Sequence, residues 1–326
     1  MKRLRWLVAA SLAALALAAC ARAGEDDVPT SVESDPPEPS TEAPSTPACT
    51  DPPCYAEPQR TGVLDAAVVE QPSGLAASLR TPGTFYAVSD VAGTAAVVAI
   101  REDGSRVETI TIDGMSAENA EALAVGPCGP SSQDTCLFVG DLGDHIGRPD
   151  VVIYRVPEPD LDDLPAAVPA DALRYTYPDG PTDAEALIVD SEGRPVIISK
   201  AAARDAAIGT EATVVYRGGT DGGRVERIGE LALPEPENPV FALIVGNVVT
   251  GADTLRDGRV LIRTYDEIIE YRAGDASADV ATFPDWDVRR VPTPSQVQSE
   301  AIAYRADGCG YLSVAERSGD IQATTC

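Results

Sequence analysis

One short phrase recurs along the chain: NAEALAV at 119–125, DAEALIV at 183–189 and QSEAIAY at 298–304. In each, a glutamate (Glu121, Glu185 or Glu300) heads an apolar run, and a turn then leads to a second run, CLFVGD, PVIISK or YLSVAE. Two further stretches share this layout with glycine at the head, SGLAASLRTPGTFYAVSD from Ser73 and TGADTLRDGRVLIRT from Thr250. The heads Gly74, Glu121, Glu185, Gly251 and Glu300 stand 47, 64, 66 and 49 residues apart. Periods of this size belong to chains that repeat one supersecondary unit.

The unit is made of strands. Runs such as TFYAVSD, AAVVAI, VETITI, VVIYRV, TVVYRG, RVLIRTY and EIIEYR are short, rich in β-branched residues and bounded by Gly, Pro and Asp-Gly, which is strand and turn chemistry. The fold expected over 61–326 is all-β, a β-propeller of five four-stranded blades. A six-bladed ring is the alternative, and a pair of β-sandwiches is the non-propeller arrangement. GVLDAAVV precedes the first unit and the last stops short at GDIQATTC, so the two ends are expected to complete one blade together.

In a propeller the first strand of each blade lines the axis, so Glu121, Glu185 and Glu300 are expected to converge at one mouth. Period two brings Asn119, Asp183 and Gln298 to the same face, with Asp253 within reach. The ends of the second strands, Asp90, Asp141, Lys200, Thr264 and Glu316, form a second column. Like carboxylates at close range raise one another's pKa or recruit a cation, and hard oxygen donors suit calcium first and magnesium second. Glu121, Glu185, Glu300, Asp141 and Asp253 are therefore the expected metal ligands, and Lys200 and Arg263 the cations able to neutralise them or to steady an anion. A second cluster, GDLGDHIGRPD at 140–150, carries His145, the only histidine in the chain. Beside carboxylates it could act as a general base, although the Gly and Asp residues also suit an Asx-turn.

The glutamate-headed strands, GDLGD followed by VVIYRVPEP, and TGADTLRDGRVLIRTY resemble secreted bacterial β-propellers with phytase-like or esterase-like relatives. The resemblance covers most of 61–326 and implies a propeller that binds a divalent cation. Those relatives read G-D-I-G-D-N, so His145 stands where asparagine would be.

The N-terminus supplies an address. Residues 1–19 read as a signal peptide: Lys2, Arg3 and Arg5 precede an apolar stretch too short to span a bilayer comfortably. LAAC, ending at Cys20, resembles the lipobox of bacterial lipoproteins, which implies a lipidated Cys20 and a protein held on the outer face of the cell membrane. Ordinary secretion is the alternative. Removing Cys20 from seven cysteines leaves six, expected as the local disulfides Cys49 with Cys54, Cys128 with Cys136 and Cys309 with Cys326. Residues 20–60 carry the lipidated cysteine and a disordered linker of Pro, Ser, Thr and acid, unable to bury enough surface to order itself. Extended, the linker would reach roughly 100 Å at about 3.1 Å per residue.

The formal charge is −27, and loss of three basic residues with the signal makes it −30. Nucleic acid is thereby excluded as a partner, since phosphate binding needs the opposite sign. The chain has no G-x-S-x-G, H-E-x-x-H or Walker A sequence, so the usual nucleophile, zinc and nucleotide signatures are missing. The expected function is a lipid-anchored binding or scaffold module with an acidic, cation-holding channel, its partner a cell-wall component, a protein or a small molecule. The alternative is a metal-dependent extracellular hydrolase of phosphoesters or esters, with His145, Lys200 and Arg263 as its supporting residues.

Overall fold

A computed structural model describes residues 53–144, 146–200, 212–240 and 247–326. The signal peptide, Cys20, the linker up to residue 52, Cys49 and His145 lie outside the described residues. Among those described, no helix is long and apolar enough to cross a membrane.

The strands form five sheets arranged as the five blades of a β-propeller, antiparallel except for a short parallel strand on the edge of two of them. The earliest strand, β1 (Gln59–Val63), belongs to the last blade. Blade one contains β2 (Pro72–Ala77), β3 (Phe85–Ser89), β4 (Ala96–Ile100) and β5 (Arg106–Asp113). Blade two contains β6 (Ala120–Pro127), β7 (Thr135–Asp141) and β8 (Val151–Pro157); the short β9 (Val168–Pro169) then joins the edge of β5, and β10 (Asp171–Thr176) completes the blade. Blade three is β11 (Ala184–Val189), β12 (Pro195–Ser199), β13 (Thr213–Arg217) and, after a two-residue β14 (Gly223–Arg224) on the edge of blade two, β15 (Glu226–Leu231). Blade four is β16 (Val249–Leu255), β17 (Arg259–Thr264), β18 (Ile268–Arg272) and β19 (Asp287–Val291). Blade five is β20 (Ser299–Tyr304), β21 (Tyr311–Ala315) and β22 (Asp320–Ala323), with β1 from the other end of the chain as its outer strand.

The inner strands β2, β6, β11, β16 and β20 pack in sequence around the axis, and β20 packs on β2 to close the ring. β11 and β20 are buried at every residue, whereas the outer β5 alternates, burying Ile110 and Ile112 and exposing their neighbours. Each pair of adjacent blades shares a hydrophobic layer, such as Leu123, Leu137 and Val139 against Tyr86, Val97 and Ala99 between blades two and one. Burial at about 25 cal/mol per Å² of apolar surface drives this stacking, because one blade alone has nothing on which to bury its face.

The ring is closed at blade five, as expected: β1 pairs with β22 from Gln59 opposite Ala323 to Val63 opposite Asp320. The packed chain also extends ahead of residue 61, since Tyr55 lies edge-on to Tyr311 at a centroid distance of 5.2 Å and Ala56 N donates to Thr325 O. Cys309 and Cys326 are bonded beside this seam, and Cys128 is bonded to Cys136 across the β6–β7 turn.

One feature recurs in all five blades. At the head of every inner strand the pairing with the second strand slips by one residue, a β-bulge that leaves Ser73, Glu121, Glu185, Thr250 and Glu300 without a cross-strand partner. A bulge re-aims the extra residue. The equivalent column is therefore Ser73, Glu121, Glu185, Thr250 and Glu300, one residue away from Gly74 and Gly251 in blades one and four. Those two glycines allow close approach instead. A Cβ at Gly251 would lie 2.4 Å from Glu300 O, and one at Gly74 would lie 2.7 Å from Leu123 N.

Candidate functional site

The bulges gather Ser73, Glu121 and Glu185 around the axis, where they line the top of a narrow channel with Gly74, Ala122 and Gly251. Below them Leu75, Leu123, Leu187 and Ile302 close in, leaving about 10 Å³, room for no more than one water. The chemistry is confined to the mouth.

Glu121 is held from two blades. Ser73 Oγ donates to its Oε2 at 2.5 Å and Asn119 Nδ2 donates to its Oε1 at 2.7 Å. In blade three the Lys200 ammonium donates to Glu185 Oε1 and, at 3.2 Å, to the Tyr265 hydroxyl of blade four. Tyr265 O–H in turn reaches Glu300 Oε1 at 3.4 Å, and the ammonium also stands 5.4 Å from the Tyr265 ring centroid. Glu185 Oε2 is buried and has no hydrogen-bond donor among the described residues. Outside this set, Gln71 Nε2 and Gln298 Nε2 donate to the two carboxylate oxygens of Glu316, at 3.2 and 3.3 Å. Both glutamines have left-handed backbone, φ 49° and 51°, a conformation that is uncommon for such residues and concentrates at constrained sites.

Glu121 raises both of the other acids, and Glu300 raises Glu185. Burial pushes the Glu121 carboxyl up to about 7, against the pull of Ser73 and with help from Asp90. Burial also raises Glu300 to about 8, with Glu316 and Glu121 adding to it. Glu185 is raised well above its ordinary range by burial, opposed by Lys200 and reinforced by Glu121 and Glu300. Burial alone would depress the Lys200 amine, but Glu185 and Tyr265 together hold it above the usual lysine range. The mouth thus holds one fixed positive charge among acids that still carry protons near neutral pH.

The other expected site residues have different positions. Asp141 Oδ1 accepts Asn119 N and Arg148 Nη1, both at 2.9 Å, and its Oδ2 accepts Glu118 N at 3.1 Å. Asp141 therefore shapes the loop that delivers Asn119. Asp144 gathers Ile146 N, Gly147 N and Arg148 N at 2.7–3.1 Å, so GDLGD is turn chemistry. Asp253 accepts Tyr304 N at 2.7 Å from blade five, and its burial pushes it up to about 7. Arg263 is fully buried, its guanidinium nitrogens have no hydrogen-bond partner among the described residues, and burial lowers it to about 10. The charges acting on Arg263 are those of Tyr311 and Asp266, none of them a mouth glutamate. Of the predicted charged set, Glu121, Glu185, Glu300 and Lys200 share the mouth.

Ser73, Gln71 and Tyr265 escaped the sequence reading. The first lies one residue ahead of the expected head Gly74, and the residue of blade four in register with Lys200 is Tyr265, because Ser199 opposes Ala184 and Thr264 opposes Val249. A tyrosine one residue beyond the end of the second strand, in register with Lys200, was the available signal.

Among the described residues, no group of three or more His, Cys, Asp or Glu side chains is arranged to hold a metal ion. The donor types gathered at the mouth are carboxylate and amide oxygens. Carboxylates and side-chain amides are calcium ligands, and the orphaned Oε2 of Glu185 is an acceptor in want of a positive or hydrogen-bond-donating partner.

No protein-family model matches the chain, and no curated protein matches it. Among solved structures it is similar to virginiamycin B lyase from Staphylococcus aureus, at 11% identity over 78% of this chain and 66% of that one, with a TM-score of 0.38. A gluconolactonase from Xanthomonas campestris is 14% identical over 82% of this chain and 91% of that one, with a TM-score of 0.43. The PQQ domain of pyranose dehydrogenase from Coprinopsis cinerea is 9% identical over 78% and 81%, with a TM-score of 0.38. The chain spans just under two thirds of the lyase's length. The fold assignment rests on the five sheets of the chain itself.

Proposed function

We propose that the protein is a binding module, lipid-anchored through Cys20 on the outer face of the bacterial cell membrane, whose propeller mouth receives a hard cation. Calcium is the first choice and magnesium the second. The observation that carries this reading is the buried, unpartnered Oε2 of Glu185, set where two further carboxylates are kept partly protonated. An acceptor buried without a donor costs roughly 1–3 kcal/mol, and a cation bound there relieves it while letting the neighbouring acids ionise. With all three glutamates ionised and Lys200 charged, two net negative charges remain, which one divalent cation balances.

The loops around the mouth then face a cell-wall component, a protein or a small molecule. The hydrolase reading asks for a base and an anion-steadying group beside the cation. Arg263 and Asp253 sit in the seam between blades four and five, and Lys200 is engaged with Glu185, so binding is the reading adopted here.

Thermal unfolding of the mature chain with and without calcium tests the proposal. A cation at 100-fold its Kd adds about 2.7 kcal/mol, a shift of about 5 °C or more for a domain of this size. Glu185→Gln should abolish the shift. An unchanged midpoint in millimolar calcium and in millimolar magnesium would refute it.

A further inference from the structure

We propose that the end of the ring opposite the glutamate mouth is a carbohydrate site, which takes an oligosaccharide bearing a carboxylate. The inference does not depend on the cation reading, because Leu75, Leu123, Leu187 and Ile302 close the axis between the two ends.

At this end each inner strand turns back into the second strand of its blade, and all five turns contribute to the wall of a cavity of about 750 Å³. Small-ligand sites occupy roughly 300–1,000 Å³. The apolar part of the wall comes chiefly from blade four. Trp286, which follows a short 3-10 helix (Val280–Asp285), is half-buried against the layer shared by blades three and four and lines the cavity with Leu255 and Val280. Its Nε1 donates to Thr282 Oγ1 at 3.0 Å, which fixes the plane of the indole. A sugar ring has flat C–H faces and hydroxyls around its edge, so an aromatic surface bordered by hydrogen-bonding groups is its complement.

Those groups are present and uncommitted. Ser131 and Gln133 on the β6–β7 turn, Ser191 on the β11–β12 turn and Arg256 on the β16–β17 turn are exposed, and their side chains have no hydrogen bond or ion pair with another described residue. The acids of the wall are engaged: Asp190 accepts Arg194 Nε at 2.7 Å, Asp257 accepts Arg259 Nη2 at 2.6 Å, and Asp307 accepts Cys309 N at 2.9 Å. Among the described residues, Arg256 is thus the one charge of the wall without a partner, and a guanidinium pairs with a carboxylate through two parallel hydrogen bonds. The turns are also braced. The Cys128–Cys136 disulfide spans the β6–β7 turn and packs in one layer with Val189 at the start of the β11–β12 turn, while Arg259, which holds Asp257, donates through Nη1 to the Tyr55 hydroxyl at 2.8 Å. A wall fixed before binding loses less to ordering when the ligand arrives.

Composition makes the test specific. Trp286 is the only tryptophan beyond the signal peptide, so the indole emission of the mature protein reports on this cavity. Emission and heat of binding are followed together during titration with three probes: hexagalacturonate, peptide-free glycan strands of peptidoglycan, and chitohexaose. The first carries its carboxylate on the sugar ring, the second on a lactyl ether, and the third has none. At least one of the two acidic glycans should give saturable heat with a saturable change in Trp286 emission, and the one that does so identifies the source of the carboxylate. Arg256→Gln, which removes no contact within the fold, should weaken that glycan at least about ten-fold. Chitohexaose should bind wild type at least about ten-fold more weakly than the acidic glycan does, and equally to both proteins within about two-fold. Glu185→Gln, at the other end of the axis, should leave every affinity within about two-fold. No saturable heat with either acidic glycan overturns the carbohydrate site, as does binding that leaves Trp286 emission unmoved. Binding that Arg256→Gln does not weaken, or chitohexaose bound as tightly as the acidic glycans, overturns the requirement for a carboxylate. Loss of glycan binding in Glu185→Gln overturns the separation of the two ends.

Discussion

Raising the pH of the cation-free protein from 5 to 9 should destabilise it, the reverse of what paired surface carboxylates do. Folded Glu300 keeps its proton up to about pH 8 and Glu121 up to about pH 7, whereas an ordinary glutamate releases it near 4.5. Across that interval the folded state binds more protons than the unfolded one, so stability is fully present below pH 4.5 and falls as pH passes through 7 and 8. Each pKa unit corresponds to about 1.4 kcal/mol, which makes the Glu300 share about 5 kcal/mol and the Glu121 share about 3 kcal/mol. The Glu121 charge is part of what raises Glu300, so the two do not simply add; the pair is expected to contribute a fall of about 3–5 kcal/mol. Denaturant unfolding in the presence of a chelator at pH 5, 7 and 9 measures it. Glu300→Gln cannot titrate, so it should match wild type near pH 5, show a shallower decline, and be the more stable protein at pH 9. Asp253, raised to about 7 in the blade four–five seam, contributes alike to both proteins. A wild-type profile that is flat or rises between pH 5 and 9, or a Glu300→Gln profile parallel to wild type, would refute the argument that buried like charges dominate the mouth.

Gly251→Ala should destabilise the protein by about 1–3 kcal/mol through overpacking, because its Cβ would meet Glu300 O at 2.4 Å; thermal unfolding reads this, and an unchanged midpoint contradicts the close approach of β16 to β20. Asp253→Ala leaves Tyr304 N without its buried acceptor, at a cost of about 1–3 kcal/mol, with calcium affinity retained because Asp253 lies away from the mouth. Cys20→Ser should move the protein from the membrane fraction to the medium, and its retention on membranes would contradict the lipid anchor.

The hairpins and their number were legible because each inner strand is an uninterrupted apolar run bounded by turn residues, and because blade five borrows β1 from the far end in the way the truncated last repeat foretold. The mouth was legible in part. Glu121, Glu185 and Glu300 stand out as charges at the head of buried runs. The bulge was invisible, since a one-residue slip in pairing leaves no mark on hydrophobicity, and with it went Ser73 and Thr250. Asp141 and Asp253 were misleading for a related reason. A carboxylate that caps backbone N–H groups, as Asp141 does for Glu118 and Asn119, looks in sequence the same as one free to bind a ligand. Arg263 follows the apolar run Val260–Ile262 of β17 and so could be placed on a strand, but nothing in its neighbours indicated a position between blades.

Calorimetric titration of calcium into the mature chain at pH 7, repeated in two buffers of different ionisation enthalpy, probes the centre of this account. Saturable binding accompanied by proton release from the glutamate cluster is the expected result, with both lost in Glu185→Gln. Heats that show no binding, or binding that releases no protons and survives Glu185→Gln, would contradict the assignment of the propeller mouth as a cation receptor.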